Sequence, residues 1–194
     1  MLTPFFVFGQ KEMVIEYWGD GIKKVEGLKI EGLQEGFWKL YYEDGTIGVE
    51  YNFKNGLKNG QSKDYYPNGI IERIGNWEND FMNGEWNHYY EDGYLKSVGH
   101  YVNSQMDGKW VYYNEKGKIT DRYEFFMGEL HGVCQYYDDS GVLEVKGEYF
   151  KGTKTGLWEF YFSNGKIKEI DELENGNLIT MTCFNIDGVE VNCD

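Results

Sequence analysis

Short runs of alternating apolar and polar residues, each closed by glycine, follow one another along this chain and restart every 24 residues. Gly36, Gly60, Gly84, Gly108, Gly132 and Gly156 mark the restarts with no slip in register. Counted from each of these as position 0, position 9 is always glycine (Gly45, Gly69, Gly93, Gly117, Gly141, Gly165) and position 5 always tyrosine (Tyr41, Tyr65, Tyr89, Tyr113, Tyr137, Tyr161). Position 2 is tryptophan at Trp38, Trp86, Trp110 and Trp158, with Ser62 and Cys134 in the other two units. Position 11 is always Ile or Leu, and position 17 is Phe53, Trp77, Tyr101, Phe125, Tyr149 or Leu173. Six such units fill residues 36–179. A degenerate unit precedes them at 13–35, an apolar segment covers 1–12, and residues 180–194 make a closing hairpin, because the end units of a stacked array have no neighbour to bury them.

Alternation over runs this short predicts strands rather than helices. Positions 8 and 9 read Asp44-Gly45, Asn68-Gly69, Asp92-Gly93 and Asn164-Gly165, which suit a type I′ turn, where both central residues take positive φ. Each unit then reads as a β-hairpin whose opposed positions sum to 17, so that 6 faces 11, 4 faces 13, 2 faces 15, and glycine 0 faces the aromatic at 17. One face collects the tryptophan, Ile/Leu and position-17 columns, and the other is polar apart from a ladder of tyrosines. A return turn near Asn55-Gly56, Met127-Gly128, Lys151-Gly152 and Asn175-Gly176 leads to the next unit. The expected fold is all-β, an elongated, twisted, single-layer antiparallel sheet of tandem hairpins with about 14 strands, roughly 65 Å long at the usual strand spacing.

Composition agrees, since 26 Gly and 35 Phe, Tyr and Trp stand against 2 Pro. The charge narrows the partners. Nineteen basic side chains against 33 acidic ones leave −14, which repels nucleic-acid phosphates and anionic lipid and favours a basic protein partner. Cys134, Cys183 and Cys193 have no metal-binding spacing, but Cys183 and Cys193 flank a turn at Asp187-Gly188 and are positioned for a disulfide if the protein is exported. The opening Met1-Leu-Thr-Pro-Phe-Phe-Val-Phe-Gly-Gln10 reads either as the tail end of a signal peptide or as an apolar first strand. Export to the envelope and a cytoplasmic location both stay open on this reading.

The unit Gly84-Glu-Trp86-Asn-His-Tyr89-Tyr90-Glu-Asp-Gly93-Tyr-Leu95 resembles the MORN-repeat variant found in bacterial proteins of the YwqK type, which are associated with toxin–antitoxin systems. The resemblance covers the chain from about residue 13 onward. It implies an open sheet of hairpins and a role in binding other proteins, with an antitoxin-like or immunity-like function as its particular form. The basic residues of lipid-binding MORN arrays are absent.

No pattern of catalytic residues stands out. His88, His100 and His131 occupy unrelated positions in three units, Asp-Gly pairs are the ordinary demand of turns, and phosphate loops, nucleophile elbows, H-E-x-x-H and C-x-x-C are missing. The chain is expected to be non-enzymatic and to need neither cofactor nor metal. The candidates for recognition are the aromatic columns: tyrosines 41, 65, 89, 113, 137 and 161 on one face and tryptophans 38, 86, 110 and 158 on the other. Polar Asn114 and Asp138 at position 6 interrupt the aromatic pattern and suggest an incompletely sealed face. The rival readings are a choline-type cell-wall or glycan binder and a structural surface spacer.

Overall fold

The structure is a computed structural model that describes residues 9–193; the apolar stretch 1–8, expected to end a leader or open the sheet, lies outside the described residues, as does Asp194. The chain divides into two compact units, Met1–Gly93 and Tyr94–Asp194. The first holds β1 (Lys11–Tyr17), β2 (Lys23–Ile30), β3 (Leu33–Tyr41), β4 (Ile47–Lys54), β5 (Leu57–Lys58), β6 (Gly60–Tyr65), β7 (Ile71–Glu78) and β8 (Phe81–Tyr89). The second holds β9 (Leu95–Val102), β10 (Gln105–Tyr113), β11 (Ile119–Phe126), β12 (Glu129–Leu130), β13 (Gly132–Tyr137), β14 (Leu143–Phe150), β15 (Thr153–Tyr161), β16 (Ile167–Glu174), β17 (Asn177–Phe184) and β18 (Glu190–Val191). Within each unit the pairing is antiparallel and follows chain order, and the described residues contain no helix. The all-β hairpin architecture is therefore as the sequence predicts. The described residues hold more strands than the expected 14 because two strands are split, at Asn59 and His131, and the ends supply four strands, β1, β2, β17 and β18, where two were counted.

The two kinds of turn are the reverse of the expectation. Asp44, Asn68, Asp92 and Asn164 do not have positive φ, whereas Glu31, Asn55, Asn79, Asn103, Met127, Lys151 and Asn175 do, each followed by another residue of positive φ. The two-residue I′ turns therefore lie between repeats. The Asp-Gly tips are three-residue turns instead: Gly45 N–H donates to the Tyr42 carbonyl at 3.0 Å and Tyr42 N–H to the Thr46 carbonyl at 2.9 Å, with only Gly45 left-handed. Aspartate is there because Asp44 Oδ1 accepts from Thr46 N–H at 2.8 Å, which is a reason other than positive φ.

This longer tip adds a residue to the loop, and a bulge removes its effect further along. Gly36 faces Phe53, Trp38 faces Tyr51 and Leu40 faces Val49, as expected, but the register shifts after Leu40 and Tyr41 faces Ile47. The pairing of position 6 with 11 is thus corrected to 5 with 11. The same shift recurs at Tyr65, Tyr113, Tyr137 and Tyr161. Its consequence is that the Ile/Leu column lies on the tyrosine face and not on the tryptophan face, because paired residues share a face.

The core is a set of tryptophans laid over glycines. Trp38, Trp86, Trp110 and Trp158 are 0–3% exposed. A Cβ added to Gly27, Gly75, Gly99 or Gly147 would stand 2.1–2.3 Å from the respective indole. The tryptophan reaches this slot because the bulge at position 0, where Gly36 has φ +67° and Gly84 +79°, sets three residues of one strand, 36–38 or 84–86, against the single Gly27 or Gly75 of the strand before. Three of the indole N–H groups then donate to backbone carbonyls, from Trp38 to Leu28 at 3.1 Å, Trp86 to Asn76 at 3.2 Å and Trp110 to His100 at 3.2 Å. Where the glycine is replaced by Tyr51 or Tyr123, the residue eleven later is Ser62 or Cys134, both buried. One ring per slot is the packing rule.

Ties between repeats run along both rows of turns. Tyr42 and Tyr66 donate their hydroxyls to the carbonyls of Tyr65 and Tyr89, at 2.6 and 2.8 Å. Gly56 N–H reaches the Gln34 carbonyl at 2.9 Å, and Gly152 N–H the Leu130 carbonyl at 2.8 Å. In the last hairpin Cys183 and Cys193 form a disulfide with Cα atoms 5.3 Å apart, while Cys134 is a buried thiol.

Candidate functional site

The tryptophans, one of the two aromatic columns singled out by the sequence, are sealed against solvent and serve as the core. A ring without accessible surface offers nothing to a partner in this conformation. Ser62 and Asp64 occupy the same face in the one unit-1 repeat that lacks tryptophan. Trp77 Nε1 donates to Ser62 Oγ at 2.7 Å, and Arg73 Nε donates to the Asp64 carboxylate. Asn114 and Asp138, which break the position-6 column, are turn residues: Asn114 Oδ1 accepts from Lys116 and Lys118 N–H at 3.0 Å, and Asp138 Oδ1 from Ser140 N–H at 2.8 Å. They are local caps, not openings in the sealed face.

The six tyrosines of position 5 are half-buried on the opposite face beside the Ile/Leu column. Several hydroxyls are tied down. Tyr41 donates to Glu26, Tyr65 to Glu50 at 2.7 Å, and Tyr161 to Glu159 at 2.6 Å. Burial, and then the adjoining carboxylate, pushes each of these three phenols up to about 12. A phenol raised above its ordinary value of about 10 stabilises the fold fully below that pH and loses its contribution as pH rises through 12. The denaturation midpoint should accordingly hold steady to about pH 9.5 and fall between about pH 10 and 12, with tyrosinate absorbance lagging that of free tyrosine. Tyrosinate forming at the free-tyrosine pH with no loss of stability would refute the buried placement.

The tyrosine face is far less polar than the alternation suggests. Beside the turns between repeats, the first unit exposes Leu33, Leu57 and Phe81, each 41–52% accessible, and adds Phe37 at 50%. The second unit exposes Val102, Phe126 and Phe150 at 40–58%, at the position that pairs with that one across the turn. His131 sits between the last two, with ring centroids 5.8 Å from Phe126 and 5.1 Å from Phe150. The sequence shows these residues, but hairpin periodicity alone hides them, since each position is apolar in only three consecutive repeats, and Gln105, Glu129 and Thr153 continue the first while Lys54 and Glu78 precede the second. Among the described residues no group of three His, Cys, Asp or Glu side chains is arranged to hold a metal ion.

No curated protein matches the chain. A solved structure described as a crystal structure of the GtfA/B complex bound to UDP and GlcNAc aligns with 64% of this chain at 10% identity and a TM-score of 0.20, and the alignment spans 22% of that protein's length. A likeness this slight bears on neither fold nor function. The family described as MORN repeat variant matches residues 34–55, 58–79, 82–103, 130–151 and 154–175. Each match runs from the start of one hairpin to the turn that leads to the next. The hairpin between the third and fourth matches keeps the same Gly108, Trp110 and Tyr113. With these five segments filling more than half of its length, the chain belongs to the MORN repeat variant family.

Proposed function

We propose that this protein is a non-catalytic scaffold for protein–protein interaction and that its tyrosine face is the contact surface. The observation that carries this reading is the exposed apolar row beside the inter-repeat turns, Leu33, Leu57 and Phe81 in the first unit and Val102, Phe126 and Phe150 in the second. Aligned apolar side chains that remain accessible mark association surfaces, whereas scattered ones need no explanation. The net charge of −14 supports a basic partner. An antitoxin-like or immunity-like role, in which that partner is a basic protein held inactive, is the specific form the family resemblance suggests.

The test is affinity capture on the immobilised full chain with a Phe126→Ser/Phe150→Ser variant alongside. Both side chains are more than half exposed, so the variant should melt like the parent, since surface substitutions of this kind usually stay within about ±0.5 kcal/mol. A protein retained by the parent and lost by the variant supports the reading. A parent that retains no protein, or a variant that retains the same one equally well, overturns it.

A further inference from the structure

The first unit carries a row of side-chain amides that its companion lacks. On the tyrosine face Asn52 neighbours Asn59, whose N–H donates to the Asn52 carbonyl at 2.8 Å, and Gln61 faces Asn76, which in turn faces Asn83. The row therefore crosses the sheet from β4 to β8 at nearly constant height. The equivalent positions of the second unit hold Glu124, His131, Val133, Glu148 and Thr155. Turn chemistry does not account for the amides, because these five stand in or beside strands and do not have positive φ.

The row opens into a groove of about 710 Å³ lined by Asn59, Asn76, Asn83 and Glu78, with Leu57 on its wall and Gly60 and Gly84 in its lining. A Cβ at Gly84 would meet nothing within 4 Å, so the groove is open space there. The amides are only partly used. Asn52 Nδ2 donates to the Gln61 carbonyl at 2.9 Å, Asn59 Nδ2 to Asn79 Oδ1 at 3.3 Å and Asn83 Nδ2 to Glu78 Oε2 at 2.6 Å. The Asn76 side chain has no hydrogen-bond partner among the described residues and is exposed.

A primary amide presents a donor and an acceptor side by side, which is the complement of a peptide unit. Equivalent amides in successive repeats, Asn52 and Asn76 or Asn59 and Asn83, stand two strands apart, about 9.6 Å. Three residues of a polyproline-type extended chain advance about 9.3 Å. A peptide laid across the strands thus brings every third peptide unit to an equivalent amide. Around the row the same face carries Glu35, Glu50, Glu78 and Glu85 against Lys39, Lys54 and Lys63, a surplus of carboxylate that agrees in sign with the chain's −14 and matches basic side chains on that peptide.

We propose that this amide row is a binding site for an extended, basic peptide segment of a partner protein, read with a three-residue period. The inference rests on the scaffold reading above and locates a partner segment in the first unit.

The test uses the full chain and two labelled twelve-residue peptides of equal charge, four Pro-Pro-Lys repeats and four Gly-Ser-Lys repeats, with fluorescence anisotropy as the readout. Binding of the extended peptide at least tenfold tighter than of the flexible one is expected, and an Asn59→Ala/Asn83→Ala variant with unchanged melting should erase the difference. Equal binding of the two peptides, or a preference that survives in the variant, overturns the proposal by reducing it to general charge attraction. Chitotetraose is tested in parallel, and if it binds with dependence on Asn59 and Asn83 while the peptide preference is absent, the groove is a glycan site and the proposal fails. The Phe126→Ser/Phe150→Ser capture lies in the other unit, so a positive result there with a negative one here would leave the scaffold reading standing and remove only the amide site.

Discussion

Replacing Trp86 by alanine should destabilise the protein by about 3–5 kcal/mol, the range for deleting a large buried aromatic side chain. Trp86 is 0% exposed, its N–H is bonded to the Asn76 carbonyl, and its ring meets Trp77 edge-on at 5.6 Å between centroids. Removal leaves a slot above Gly75 that a single-layer sheet has no second layer to fill, and it strands one carbonyl acceptor. Urea denaturation followed by circular dichroism measures the loss. A Trp86→Ala protein with an unchanged midpoint would show that the indole is not the core.

The second large effect comes from adding a single carbon. Gly75→Ala places its Cβ 2.1 Å from the Trp86 ring, a distance no rotamer change in alanine can relieve, so the indole or the strand must move at a cost of about 2–3 kcal/mol. Gly75 is not among the glycines of positive φ. The penalty is therefore one of space and not of backbone conformation, which makes it reversible by making room. Combining Gly75→Tyr with Trp86→Ser recreates the Tyr51 and Ser62 arrangement of the preceding repeat and should recover most of the stability lost in either single variant. If the double variant is as unstable as the sum of the two, the one-ring-per-slot rule fails, because residues in contact should couple and not add.

Much of the architecture was legible because a 24-residue repeat reports the same local solution six times. Glycine, tyrosine and tryptophan at fixed positions identified hairpins, and the pairing of Gly36 with Phe53 and Trp38 with Tyr51 followed from one assumed register. The turn assignment failed for a reason that residue types conceal. Asp-Gly suits both a two-residue I′ turn and a three-residue turn with a left-handed glycine, and only the hydrogen bonds of Tyr42 with Gly45 and Thr46 distinguish them. The register nevertheless returned to the expected one beyond Leu40, since a bulge offset the longer loop. The error stayed local to Tyr41 and Ile47, and that was enough to place the Ile/Leu column on the wrong face.

The link between position 15 and position 2 was readable as well. Gly27, Gly75, Gly99 and Gly147 each precede a tryptophan by eleven residues, while Tyr51 and Tyr123 precede Ser62 and Cys134. Its meaning was not readable, because the two positions lie on different hairpins and nothing short of the assembled sheet shows that the indole rests on the glycine.

The sequence by itself determined the all-β class, the repeat frame and the separation of tryptophan from tyrosine, because side-chain alternation and glycine spacing are local properties of a strand. Only the tertiary structure decided which tryptophan covers which glycine, that the Ile/Leu column joins the tyrosines, and that five amides from neighbouring hairpins stand in one row. These depend on bulges at Gly36, Gly60 and Gly84 and on the register between hairpins, and a shift of one residue in that register exchanges the two faces.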